Sequence, residues 1–360
     1  MRILQGQTVS EGRRSINNMI KIAVDGMGGD FAPRTVVEGA ELARDEKIAD
    51  IVIVGDECTI KPLIKNPDGI DIFHTSTYVE MDESPSNALR KKKDSSVNKA
   101  FELLKKGEVQ AVVTAGNSGA AMAFAIFTLG RLEFVDRPAI LTLNPNVKGG
   151  LSLLLDSGGN VDCKPVNLVQ FALMGDIFAR CAMGIESPRI GILSNAEEET
   201  KGNELTREAH SMVKNLGLNY VGYVEGSDIH YGSTDVVVSD GFVGNVALKV
   251  SEGIAESLMI LLKEGIEKKI RRKIGYLFMK DVFKEIAKKI DYSETGGAPL
   301  LGVDGVSIIC HGKSNGKAIK NAIGLAKGFV EKNLNEVIKE TMQSHQSLQK
   351  KKEKKKWIIF

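Results

Sequence analysis

The 360-residue chain has no two cysteines at C-x-x-C spacing. Cys58, Cys163, Cys181 and Cys310 lie far apart, which excludes a zinc knuckle and a disulfide framework and leaves reduced thiols as the plain reading. The five histidines have no metal-ligand spacing such as H-x-x-x-H, so no metal is expected. No apolar run reaches the ~20 residues of a membrane span. The first 19 residues lack the apolar core of a signal peptide and read as a disordered leader, with Met19 as a second candidate start. Charge of one sign is lacking too: the net value is +2, which makes no electrostatic case for nucleic acid. Three nucleotide or hydrolase motifs fail by one residue each. A G-x-G-x-x-G beginning at Gly26 meets Phe31 at its last position; a P-loop ending at Gly312-Lys313-Ser314 needs glycine where Ser307 stands; a G-x-S-x-G elbow around Ser118 ends on Ala120. No Ser-His-Asp or Cys-His pattern is visible, and no cofactor is expected.

What the chain does have is alternation. Buried-looking β runs at 21–25, 50–55, 70–74, 109–116, 139–144, 151–156, 189–195, 219–226, 234–241 and 305–312 are separated by helical patterns at 33–48, 95–106, 117–130, 165–183, 203–216, 242–270 and 315–338. Such alternation predicts an α/β fold: a doubly wound, mainly parallel sheet in a three-layer α/β/α arrangement. No repeat or linker divides it. The expected organisation is a leader (1–19), one α/β domain (20–338) bearing a helical projection at about 257–290, and a Lys-rich disordered tail (339–360).

Five strand ends are rich in Gly, Asn, Ser or Asp: DGMGGD, TAGNSGA, SNAEEETKGNE, VSDGFVGN and CHGKSNGK. Strand, glycine turn and helix together present bare N–H groups to an anion. The same residue types also cap helices and close turns. Taken as one set on one sheet edge, they predict a polar cleft suited to phosphate. Its candidate binding residues are Asp25, Gly28, Gly29, Asp30, Asn117, Ser118, Asn195, Asn203, His311 and Ser314. Lys201 stands at a helix start, where a cation opposes the dipole unless an anion is bound; pairing with Glu197 to Glu199 is the alternative. Asn245 either caps the next helix or holds a ligand oxygen.

Segment 263–290 carries ten Lys/Arg and four Asp/Glu. Ile274, Phe278, Val282, Ile286 and Ile290 repeat every four residues, an apolar stripe beside a basic face. Gly275 or its neighbours are expected to break it into a hairpin. One reading is a helix packed on a dimer partner. The other is a tip that meets a membrane or an acidic carrier through Lys268, Lys269, Arg271, Arg272, Leu277, Phe278 and Val282.

Seven stretches in order, DGMGGDFAP, AGNSGAAMA, VDRPA, VDCKPVNLVQFALMGD, EEETKGNELTREA, DVVVSDGFVGNVALK and LLGVDGVSIICHGKS, resemble the PlsX-type phosphate acyltransferases from about Ile20 to Asn335. The resemblance implies an isopropylmalate dehydrogenase/phosphotransacetylase-like fold, a homodimer, and a cytoplasmic enzyme held peripherally at the membrane. It implies transfer of a fatty acyl group from acyl carrier protein to inorganic phosphate, giving acyl phosphate for phospholipid synthesis, with Lys201 and Asn245 as catalytic residues. The chain departs from the family pattern at Gly26, Phe31, Asn167 and Lys313; Phe31 and Asn167 stand where histidines are usual. Two other classes compete: an NAD(P)-dependent oxidoreductase of the related fold, for which no adenosine site is visible, and a non-catalytic carrier or membrane adaptor, which leaves the polar strand ends unexplained.

Overall fold

The computed structural model describes residues 19–345. The predicted leader up to residue 18 and the tail from 346 lie outside the described residues. Eleven strands form one sheet: β1 (Lys21–Asp25), β2 (Asp50–Gly55), β3 (Ile70–His74), β4 (Ala111–Thr114), β5 (Ala139–Pro145), β6 (Leu151–Leu155), β7 (Ile190–Leu193), β8 (Tyr220–Val224), β9 (Val236–Val238), β10 (Ala298–Leu301) and β11 (Val306–Ile309). The helices are α1 (Arg34–Asp45), α2 (Glu57–Ile60), α3 (Pro85–Lys91), α4 (Ser96–Lys105), α5 (Ser118–Thr128), α6 (Pro165–Met183), α7 (Glu204–Val213), α8 (Asp228–Tyr231), α9 (Gly241–Glu267), α10 (Ile270–Ile290), α11 (Gly316–Glu331) and α12 (Leu334–Ser344).

The strand order is β3-β2-β1-β4-β11-β10-β5-β6-β9-β7-β8. Pairing is parallel except at β11–β10, β10–β5 and β5–β6. The α/β class and the mainly parallel sheet are as predicted. The single polar edge is not. Three successive antiparallel steps reverse the sense of the sheet, so the C-terminal ends of β1, β4 and β11 face one edge and those of β7 and β9 the other. The step that hides this from sequence is β10, a four-residue strand, APLL, whose proline and shortness give no strand signal.

One face of the sheet carries a continuous core under α1, α6, α7, α11 and α12. On the other face the packing is split. One cluster lies under α3, α4 and α5; a smaller one, around Leu154, Val224 and Val237, is packed by Ala247 and Leu248 of α9. The interval between α5 and α9 is where the functional loops meet. Helix α6 is long and apolar enough to cross a membrane, but 72% of that stretch lies inside the fold. It begins with Pro165 at its first turn and ends on Gly184 at φ 72°, both favoured there.

Two boundaries differ from the sequence reading. The pattern at 315–338 is two helices, because Asn333 adopts the left-handed conformation (φ 47°), which Asn tolerates better than most residues. The second of them runs to Ser344 with Ile338 and Met342 fully buried, so the folded part extends past residue 338. The break in the basic segment falls at Lys268-Lys269, not Gly275, which sits inside α10. A glycine costs a helix only ~1 kcal/mol, whereas a turn at Lys268-Lys269 lets five cations between 268 and 273 spread into water. From Asn245 to Asp291 no described side chain is buried: α9 and α10 form a hairpin standing off the body.

Candidate active site

The site is built on helix starts. β9 ends at Val238, and Asp240 caps α9 by accepting from the N–H groups of Phe242 (3.0 Å) and Val243 (2.9 Å). The Gly241 N–H donates to the Asn160 carbonyl at 2.7 Å. Gly244 lies so close to the end of β6 that a Cβ there would be 1.9 Å from the Asp156 carbonyl oxygen. Only glycine lets α9 seat at this depth. Seating it brings Asn245 over Gly158, whose φ is +139° and whose Cβ position is 3.6 Å from the Asn245 amide.

Asp156 organises this loop. It is fully buried and accepts from the N–H of Ile140 (3.0 Å), Gly158 (3.3 Å), Gly159 (2.9 Å) and Asn160 (2.7 Å), and from the Asn160 side chain (2.8 Å). Burial pushes its carboxyl up while these donors pull it down. The sequence reading gives no role to Asp156–Asn160, although DSGGN after LSLLL is a sixth strand end of the same kind.

Across from α9, Asn203 caps α7: its Oδ1 accepts from the Thr206 N–H (2.9 Å), and its own N–H donates to Thr206 Oγ1 (3.0 Å). Asn195 closes the preceding loop by accepting from the Gly202 N–H at 3.0 Å. Glu199 pairs with Lys214 rather than with Lys201, and among the described residues the Lys201 ammonium makes no ion pair. The α7 and α9 starts open on one recess of about 430 Å³, walled by Asn203, Asp240, Leu205, Phe242, Val243 and Cys163. Burial and then Asp156 push the Cys163 thiol up to about 12.

The other candidates sit at the first edge. Asp25 is 2% exposed; it accepts from Thr114 Oγ1 (2.7 Å) and from the Met27 N–H (3.3 Å), and burial raises its pKa. It therefore shapes the glycine turn and presents no carboxylate to a ligand. Gly28 packs on Gly116, Gly29 lies beside Ala115 with φ +113°, and the exposed Asp30 donates its N–H to the Gly312 carbonyl at 2.8 Å. The opening turn is thus partly spent on joining β1, β4 and β11. The Asn117 side chain is engaged at both ends, accepting from the Ala120 N–H and donating to the carbonyls of Met81 and Glu83; Ser118 next to it is exposed. Ser314 is 2% exposed, which withdraws it from direct contact as well. His311 Nδ1 accepts from the Lys313 N–H at 3.1 Å, and burial, then Lys249, hold the imidazole below its usual pKa.

Two contacts bring the edges together. Lys249 and Glu252, one and two turns beyond Asn245 on α9, lie within electrostatic reach of His311. Met122, one turn beyond Ser118 on α5, touches the Gly159 loop, its sulfur 3.0 Å from the Cβ position. The α7 start with Asn203 and the α9 start with Asp240 therefore share one recess, Asn245 lies over the Gly158 loop, and His311 meets α9 at Lys249.

A sequence family described as "Fatty acid synthesis protein" matches residues 20–337. "Phosphate acyltransferase" of Geobacter sulfurreducens is 53% identical over 329 residues, covering 90% of this chain and 95% of that protein. The protein of the same name from Geotalea uraniireducens is 54% identical over 333 residues, covering 91% and 96%. The chain belongs to the phosphate acyltransferase family. In fold this family member is similar to a phosphotransacetylase from Streptococcus pyogenes (TM-score 0.61, 16% identity, covering 87% of this chain and 94% of that one) and to a 4-hydroxythreonine-4-phosphate dehydrogenase from Klebsiella pneumoniae (TM-score 0.51, 15%, covering 87% and 100%).

Beneath the Lys201 loop, His210 Nδ1 and the Tyr220 hydroxyl lie 2.7 Å apart. Burial, reinforced by Lys214, lowers the His210 pKa from 6.5, and burial raises that of Tyr220, so the hydroxyl donates to a neutral imidazole. With the folded pKa below the unfolded one, the unfolded chain takes up the proton first as pH falls. The stabilisation from neutral His210 is complete above pH 6.5 and is lost below it. His210→Gln retains an acceptor without titrating, and should flatten part of the fall in melting temperature between about pH 7 and pH 5; an unchanged slope would place the titration elsewhere.

Proposed function

We propose that this acyltransferase moves a fatty acyl group from the thioester of acyl carrier protein to inorganic phosphate, by direct attack of a phosphate oxygen on the thioester carbon. The C–S bond breaks, a C–O bond forms, and the products are an acyl phosphate and the carrier thiol. The observation that carries this reading is the shared recess. The dipoles of two helix N-termini add positive potential for phosphate, and Leu205, Phe242 and Val243 form an apolar wall for the acyl end. Lys201 offsets phosphate charge, and the Asn245 amide donates to the oxyanion that develops on the thioester. A covalent acyl-enzyme has little support. The thiol on the recess, Cys163, has a pKa of about 12 and stays protonated near neutrality.

The hairpin fits contact with the carrier or with an anionic membrane. Lys268, Lys269, Arg271 and Arg272 cluster at its turn, with Arg272 tying it by donation to the Gly265 carbonyl at 2.7 Å. Each such cation is worth ~1 kcal/mol at an anionic lipid surface. Leu277 (67% exposed), Phe278 (87%) and Val282 (49%) lie on the shaft of α10, with Val250 and Ile254 exposed on α9. A homodimer packed along the α9 shaft at Val250 and Ile254 would leave the α10 stripe and the basic turns outward. The working place of such an enzyme is the cytoplasmic face of the membrane.

The reaction is tested by incubating the protein with acyl-acyl carrier protein and measuring free thiol. Release should require phosphate and match acyl phosphate formed. Thiol release without phosphate, together with acyl group retained on the protein, would overturn direct attack.

A further inference from the structure

A second recess, of about 450 Å³, adjoins the first and shares Asp162 and Cys163 with it. Its walls carry Arg131, Arg137 and Lys164. None of these three cations makes an ion pair among the described residues, although Asp136 and Asp162 share the same wall. Arg131 donates to the Asp136 carbonyl rather than to a carboxylate. Lys164 is the residue that precedes α6, a position where a cation opposes the helix dipole. With Asp136 and Asp162 on the same wall, the three cations leave an excess of positive charge around the opening, which favours an anion there.

The loop that presents the arginines is fixed from both sides by buried amides. Gln170, fully buried on α6, accepts from the Asp136 N–H at 2.9 Å and donates to the Phe134 carbonyl at 3.0 Å. Asn160, 5% exposed, donates to the Pro138 carbonyl at 2.6 Å while its other bonds go to Asp156. Residues 134–138 are therefore held by the same buried Asp156–Asn160 loop that seats Asn245. The held backbone fixes where Arg137 leaves the chain, and a guanidinium fork matches the oxygens of a phosphate group.

We propose that Arg131, Arg137 and Lys164 form a binding site for a phosphate group, placed one recess away from the reacting thioester. The proposal rests on the acyltransferase reading for its role, though not for its binding. Two sources have this chemistry: inorganic phosphate, and the phosphodiester in the thiol-bearing arm of the carrier.

The test uses the full chain with Arg131→Gln and Arg137→Gln, each checked for an unchanged melting temperature. Calorimetric titration with inorganic phosphate and with phosphopantetheine measures binding without any turnover. Kinetics then compare acyl-phosphopantetheine with acyl-pantetheine, which lacks the phosphate, at varied phosphate concentration. If the site takes inorganic phosphate, its KM rises about tenfold or more with either donor, as expected for a lost charge-assisted bond. If it takes the arm, the KM for acyl-phosphopantetheine rises to that of acyl-pantetheine and the phosphate KM stays put. Either result supports the site. Folded variants that bind both probes within about twofold of wild type overturn it. A wild-type protein that binds phosphopantetheine or phosphate through these arginines but releases no thiol would keep the site and sink the acyltransferase reading instead. If the variants fail to fold, Lys164→Gln, on an exposed side chain, takes their place in the same titrations: weakened binding of either probe supports the site, and unchanged binding of both overturns it.

Discussion

Lys201→Ala and Asn245→Ala should each fold as the wild type does and lose about 10²–10³ in kcat, the usual cost of removing one preorganised donor from a developing oxyanion or transferred group. That is ~3–4 kcal/mol of transition-state stabilisation. Both side chains are exposed and neither makes a described ion pair or caps its own helix, so their loss should barely move the melting temperature. The double variant should lose less than the product of the two, because both act on the same reacting group. Turnover near wild type in both single variants would show that the α7 and α9 starts hold substrate without assisting its reaction.

The second large effect is expected at the hairpin. Leu277→Glu with Phe278→Glu places two carboxylates on the exposed shaft of α10, and should abolish co-sedimentation with anionic vesicles while soluble turnover continues. The lysine tail would bind such vesicles unaided, so the comparison needs a shortened chain. It must end after His345: a cut near Asn335 would remove Ile338 and Met342, both fully buried. Sedimentation equilibrium reports the alternative. If the double variant dissociates a dimer and vesicle binding persists, the stripe is a subunit interface and the membrane reading fails.

Much of this architecture is legible in the sequence because buried parallel strands are runs of Val, Ile and Leu flanked by turn residues. β1, β2 and β3 begin and end where those runs do. Helix starts are equally legible where an Asn or Asp caps them, as at Asn117, Asn203 and Asp240. Strand sense is not written locally. Nothing in LSLLL or APLL states which neighbour each will meet, and so the reversal between β4 and β9 is invisible. For the same reason Asp25 looks like a ligand-facing carboxylate in sequence, when its burial against Thr114 depends on a strand 89 residues away. The helix starts beside which Lys201 and Asn245 stand, by contrast, are visible in their own stretches of sequence.

The order of the strands also dictates when the molecule can be completed. β5 through β9 come from residues 139–238 in one stretch, and those five strands can pair with one another as soon as they are synthesised. The half that begins the chain does not. β4 needs β11, and α1 packs on α11, both made from residues beyond 305. The join between the halves is the short pair β10 and β11, also late. Until roughly the last sixth of the chain leaves the ribosome, β4 and β5 each offer an unpaired edge, the kind of surface on which nascent chains aggregate. A premature stop anywhere before β10 therefore leaves two half-sheets with sticky rims rather than a shortened enzyme, and chaperone demand during synthesis should concentrate in that interval.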